Sequence, residues 1–165
     1  MGMRKAILII DHGSKRGEAN EMLDCVSNLV QAMAGDGVIV RYAHMELASP
    51  SIEDGFAECV KRGATEVVAF PYMLSPGKHS TGDIPRLVAA AAAAHPDVRY
   101  SVTPAFGVHE KLAELILLRA GVTPNAIDAD QCWHSSEVPR TCGDACRCVT
   151  GSAPNATQQP SECLR

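Results

Sequence analysis

The chain is 165 residues long, the size of one ordinary domain. Apolar residues make up 46% and charged residues 21%, so a soluble globular core is feasible and disorder is not the default. A net charge of −4 and a pI near 5.8 argue against nucleic-acid binding as the main role.

The longest apolar run, Leu87 to Ala94, is mostly alanine and far short of the ~20 residues of a membrane span. Arg4 and Lys5 precede only the short apolar run Ala6 to Ile10, so no signal peptide is expected. A targeting segment removed beforehand would leave no trace here.

The elements follow in chain order. Ala6–Ile10 reads as a buried strand, followed by the polar loop Asp11-His12-Gly13-Ser14. Met22, Leu23, Val26, Leu29, Val30 and Met33 then recur at helical spacing, and Gly35 and Gly37 end that helix. Val38–Ala43 is a β-branched second strand. Ser49-Pro50 starts the second helix with proline at its first position, and Ile52, Phe56, Cys59 and Val60 form its buried stripe. Val67–Phe70 is the third strand, followed by a long loop from Pro71 to Gly82. Asp83 is expected to cap an alanine-rich third helix, which stops before His95-Pro96. Val98–Val102 is a fourth strand and His109–Ala120 a fourth helix, closed by Gly121.

Strands alternating with helices predict right-handed crossovers and a parallel sheet covered on both faces. The expected fold is therefore a small, flavodoxin-like α/β domain with four parallel strands over residues 1–121. Residues 122–165 are expected to form a poorly ordered, cysteine-rich tail. Only five residues there are Val, Ile, Leu, Met or Phe, too few to fold unaided.

The seven cysteines divide unevenly. Cys25 and Cys59 fall inside helical patterns and read as small buried hydrophobes. The other five are Cys132, Cys142, Cys146, Cys148 and Cys163. This odd, clustered set fits a metal or redox tail better than a secreted disulfide framework. Cys132, Cys142, Cys146 and Cys148 supply four thiolates, a soft set that selects zinc or an iron–sulfur cluster. A tail of unligated thiols is the alternative, and spacing does not place Cys163 in the set.

Ligands of an open parallel sheet bind beyond the carboxyl ends of its strands. His12 follows the first strand, Glu46 the second, and His79 lies in the loop after the third. Each is about one βα unit from the next, so adjacent strands bring all three to one rim. Two imidazoles and a carboxylate suit a first-row divalent cation. Taken alone, His12 is equally a loop residue bonded to backbone, and Glu46 reads more readily as a solvated charge. The coincidence of three is the signal. Among the other histidines, His44 ends the second strand and is placed to support a ligand. His95 sits at a helix end where a cation suits the dipole. His109 is a polar helix start or a further contact at the same rim, and His134 is a tail residue. Neither a phosphate-cradling glycine loop nor a hydrolase nucleophile elbow is present, which argues against nucleotide binding and acyl transfer.

Several motifs in order carry a resemblance over about residues 5–120. They are D-H-G-S at 11–14, E-A-N at 18–20, A-H-M-E-L-A-S-P-S-I at 43–52, G-A-T-E-V-V at 63–68, P-G-K-H at 76–79 and D-I-P at 83–85. The sequence resembles the small sirohydrochlorin chelatases of the sirohaem and cobalamin pathways, the plant-type ferrochelatase in particular. The resemblance implies insertion of Fe²⁺, or alternatively Co²⁺, into sirohydrochlorin, with His12, Glu46 and His79 as both metal ligands and catalytic residues. It also implies a homodimer and a [2Fe–2S] cluster on the tail cysteines. The compartment it implies is the chloroplast stroma for a plant-type protein, and the cytoplasm otherwise.

Lys15, Arg16, Lys78 and Arg86 flank the proposed rim and are candidate contacts for the carboxylates of such a substrate, although solvated loop charges are the plainer reading of each. Ser80 departs from the family pattern, where an aromatic or aliphatic residue commonly follows the loop histidine. Two other functions fit the same residues. One is a non-catalytic carrier of metal or tetrapyrrole, and the other an iron–sulfur electron carrier working through the tail.

Overall fold

The computed structural model describes residues 2–126. The chain divides into two units, Met1–Phe106 and Gly107–Arg165. The first contains β1 (Lys5–Asp11), α1 (Gly17–Ala34), β2 (Val38–His44), α2 (Ile52–Lys61), β3 (Glu66–Pro71), a π-helical turn (His79–Asp83), α3 (Ile84–Ala93) and β4 (Arg99–Val102). The described part of the second contains α4 (Glu110–Arg119).

The four strands form one parallel sheet in the order β2-β1-β3-β4. Alternation along each strand divides its side chains between two layers. Ala6, Leu8 and Ile10 of β1, with Ile39, Ala43, Val67 and Ala69, pack against Ile52, Phe56 and Cys59 of α2 and Ile84 and Val88 of α3. The alternate residues Ile7, Ile9, Val38, Val40 and Tyr42 face Leu23, Val26 and Val30 of α1. The sheet is thus covered on both faces, as a parallel sheet requires. Burial raises the Cys59 thiol to about 12, so it stays protonated and packs as a hydrophobe.

The register positions the site. Asp11 lies level with His44, and Ile10 with Pro71, so β1, β2 and β3 end at one rim. Backbone bonds continue past the strand ends: Met45 N–H donates to Asp11 O (2.8 Å), Glu46 N–H to His12 O (3.1 Å) and Tyr72 N–H to Ile10 O (2.6 Å).

Three local expectations are corrected. The six-residue apolar stripe of α1 is wider than the surface that covers it. Met22, Leu29 and Met33 form their own row and stay exposed, as does Cys25. The N-cap of α2 is Ser51 rather than Ser49-Pro50, because Ser51 and Asp54 form a reciprocal capping box, with Ser51 Oγ accepting from Asp54 N–H. Asp83 does not cap α3. Helical backbone already runs through it from the π-helical turn, and Ile84 N–H donates to His79 O instead.

Gly55 is the point where α2 meets the sheet most closely. A Cβ there would lie 2.8 Å from Leu8 Cδ1, 3.0 Å from Ala43 Cβ and 3.2 Å from the Tyr42 carbonyl oxygen. Gly55→Val should therefore destabilise the fold by about 3 kcal/mol, the upper end of the usual cost of overpacking. Urea unfolding measures this, and a midpoint equal to that of the parent would show that α2 can withdraw without cost.

Candidate functional site

The loop after β1 is held from three directions. Gly13 adopts φ +83°, and a Cβ on it would lie 1.9 Å from the Glu46 carbonyl oxygen. Only glycine lets the His12 loop lie this close to the Glu46 loop. From the first turn of α1, Asn20 reaches back to Ser14, accepting from its N–H (2.9 Å) and donating to its carbonyl (2.8 Å). Glu46 itself precedes Leu47, whose φ of +67° is a left-handed turn.

His79 opens the π-helical turn, a form that recurs at functional sites. Its loop is pinned on Gly77. Gly77 N–H donates to Ser80 Oγ (2.9 Å), and the Gly77 carbonyl accepts from Ser80 Oγ (3.1 Å) and Thr81 Oγ1 (2.8 Å). Ser80 is buried, and its hydroxyl closes this turn on Gly77.

These loops bring the three sequence-derived donors together. The His12 and His79 rings meet edge-on with centroids 5.1 Å apart, and His12 Nε2 lies 2.8 Å from Glu46 Oε1. Both imidazoles are tethered at Nδ1. That of His12 faces the Gly13 carbonyl (3.2 Å) and that of His79 faces Asp83 Oδ2 (2.9 Å). Both partners are acceptors, which favours a hydrogen on each Nδ1, while Nε2 of His12 faces a further acceptor in Glu46.

One consequence is electrostatic. The His12 ring lies between two acceptors, the Gly13 carbonyl at Nδ1 and the Glu46 carboxylate at Nε2. A hydrogen on Nε2 bridges the His12–Glu46 contact, and a metal cation at Nε2 would take that hydrogen's place.

The side chains of His12, Glu46 and His79 are 42%, 53% and 47% exposed, so the group is open to solvent. Among the described residues, no three His, Cys, Asp or Glu side chains already close on one point as a metal cage. The donors are gathered but not locked.

The CbiX family model matches residues 6–122. The chain belongs to this family. A chloroplastic sirohydrochlorin ferrochelatase of Arabidopsis thaliana is 40% identical over 134 residues, which is 80% of this chain and 59% of that protein. SirB from Bacillus subtilis with Fe³⁺ superposes with a TM-score of 0.65 at 32% identity, covering 73% of this chain and 49% of that one. The sirohydrochlorin chelatase SirB from subspecies spizizenii in complex with cobalt gives 0.66 at 32% identity, covering 72% of this chain and 50% of that one. The chain spans about half the length of these relatives.

In this CbiX domain the remaining candidates fall as follows. Lys15, Arg16 and Lys78 are exposed beside the His12 and His79 loops, and Arg86 lies 3.9 Å from Asp83 Oδ1. His44 is buried against Asp11, and His95 stacks on Phe56 at a centroid distance of 5.7 Å. His109 is the N-cap of α4, its ring accepting from Lys111 N–H at 3.1 Å. Cys132, Cys142, Cys146, Cys148 and Cys163, with His134, lie outside the described residues.

Sequence reasoning missed Asp83 as the partner of His79 and Asn20 as the anchor of the first loop. The i,i+4 spacing of His79 and Asp83 was the available signal for the first.

Asp83 should set the tautomer of His79. In the parent protein, neutral His79 is expected as the Nδ1–H form by ¹⁵N NMR, and Asp83→Ala should move it toward Nε2–H. An unchanged tautomer in the variant would show that Asp83 does not orient the ring.

Proposed function

We propose that this protein inserts a divalent metal, Fe²⁺ or Co²⁺, into sirohydrochlorin. The observation that carries the reading is the convergence of three side chains at one rim, His12 lying 2.8 Å from Glu46 with its ring centroid 5.1 Å from that of His79. The chelatase names of the relatives and the iron and cobalt of the SirB structures support the same chemistry.

The reaction exchanges one divalent cation for two pyrrole N–H protons. The site must therefore strip water from the incoming ion and then surrender it to four ring nitrogens. Nε2 of His12, Nε2 of His79 and the Glu46 carboxylate replace part of the hydration shell. Three donors on an open rim leave coordination positions free for the macrocycle, whereas a closed four-ligand cage would retain the ion. As the metal leaves, the vacated imidazoles can accept the two departing protons. Glu46 neutralises charge on the cation and returns to a proton shared with His12.

Sirohydrochlorin is a polycarboxylate, and the net charge of −4 opposes its approach. Local charge governs the encounter instead. Lys15, Arg16, Lys78 and Arg86 give the rim four cations on the loops and helix that carry the metal donors. The reaction needs nothing from the cysteine-rich segment.

His12→Ala and His79→Ala should each reduce the rate of metal insertion by about 10²-fold or more, roughly 3 kcal/mol of transition-state stabilisation. Glu46→Gln should fold normally and turn over more slowly. Anaerobic assays with Fe²⁺ and Co²⁺, followed by the visible spectrum of the tetrapyrrole, measure this. Near-parent rates in both histidine variants would remove the ligand assignment. A parent protein no faster than buffer would leave a carrier in place of an enzyme.

A further inference from the structure

Beneath the rim, Asp11 and His44 form a pair that the chemistry above does not use. They are the last residues of β1 and β2 and lie directly opposite in the register. His44 Nδ1 is 2.6 Å from Asp11 Oδ1, and the same oxygen accepts from Gly13 N–H at 2.9 Å. One carboxylate oxygen thus ties the end of β2 to the turn that follows His12.

The packing around this oxygen closes the link to Glu46. A Cβ on Gly13 would meet the Glu46 carbonyl oxygen at 1.9 Å and His44 Cβ at 3.1 Å, so Gly13 is wedged between the two. Glu46 N–H donates to His12 O at 3.1 Å. Any rotation of the Gly13 turn therefore changes where His12 stands relative to Glu46.

We propose that Asp11 and His44 are positioning residues that fix the spacing of His12 and Glu46, and with it the hold on the metal. This rests on the reading of His12, Glu46 and His79 as the metal donors. The plainer view is that His44 merely fills space at a strand end. Two observations oppose it. The His44 side chain is fully buried, and its Nε2 has no hydrogen-bond partner among the described residues. An apolar ring would fill the same volume without stranding a polar atom. What an apolar ring cannot do is donate to Asp11. Hydrogen-bonded partners behind metal ligands commonly tune affinity by about 10- to 100-fold.

The test uses the full chain and two replacements at His44. His44→Phe keeps the ring and deletes the donor, whereas His44→Asn places an amide N–H where Nδ1 stands. Co²⁺ binding is titrated by visible absorption, and kcat and KM for sirohydrochlorin are measured separately, with thermal unfolding alongside. His44→Phe is expected to fold, to lose Co²⁺ affinity and kcat by about tenfold or more, and to keep KM for the tetrapyrrole. His44→Asn is expected to restore most of both.

Parent-like Co²⁺ affinity in His44→Phe, or equal impairment in His44→Asn, would overturn the proposal. Should His44→Phe fail to fold, Asp11→Ala removes the acceptor from the half-exposed side of the pair. A folded Asp11→Ala that binds Co²⁺ like the parent would overturn it equally. A folded parent that binds no Co²⁺ would instead bring down the donor assignment itself, and the positioning role with it.

Discussion

Asp11 opposite His44, and Ile10 opposite Pro71, is the register on which the site depends. In a parallel sheet every crossover returns the chain to the same end, so loops after successive strands share one rim. Register then decides whether those loops stand at the same height. A slip of one residue in β2 would turn its side chains to the opposite faces and carry Glu46 away from His12. The hydrophobic alternation of β1 and β2 prevents that slip, because each strand has both faces buried in different layers. Burial of the core and assembly of the site are therefore one constraint.

On the proposed chelatase reading, the site answers two opposed demands. A metal that must be delivered has to be gripped firmly enough to lose its water and loosely enough to move on. Holding each imidazole at Nδ1, by the Gly13 carbonyl and the Asp83 carboxylate, limits ring rotation. Solvent exposure of His12, Glu46 and His79 leaves the other side of the group open. Rigidity lies behind the donors, in Gly13, Asn20, Ser80 and Asp83, and openness lies in front of them.

Much of this is legible in the amino-acid order, for identifiable reasons. Strand and helix types follow from apolar periodicity, and His12, Glu46 and His79 follow from their place after successive strands. The burial of α1 does not follow, because periodicity reports which side of a helix is apolar and not how much of it finds a partner. Met22, Leu29 and Met33 belong to the apolar face and remain exposed. Asp83 misleads for a different reason. An acidic residue ahead of a helix normally caps it, and only the π-helical turn, which carries helical backbone through Asp83, frees its carboxylate for His79. The Asp11–His44 bond joins residues far apart in the chain and depends on register, which the sequence does not display.

X-ray absorption of the full chain loaded anaerobically with one equivalent of Co²⁺ tests the central claim most directly. The account predicts a first shell of nitrogen and oxygen only, at about 2.0–2.2 Å, with the outer-shell scattering of two imidazoles. That imidazole signal should fall to half in His12→Ala and, separately, to half in His79→Ala. A sulfur shell at about 2.3 Å, the distance of metal–thiolate bonds, would place the ion on cysteines and contradict the account. So would a shell of oxygen alone.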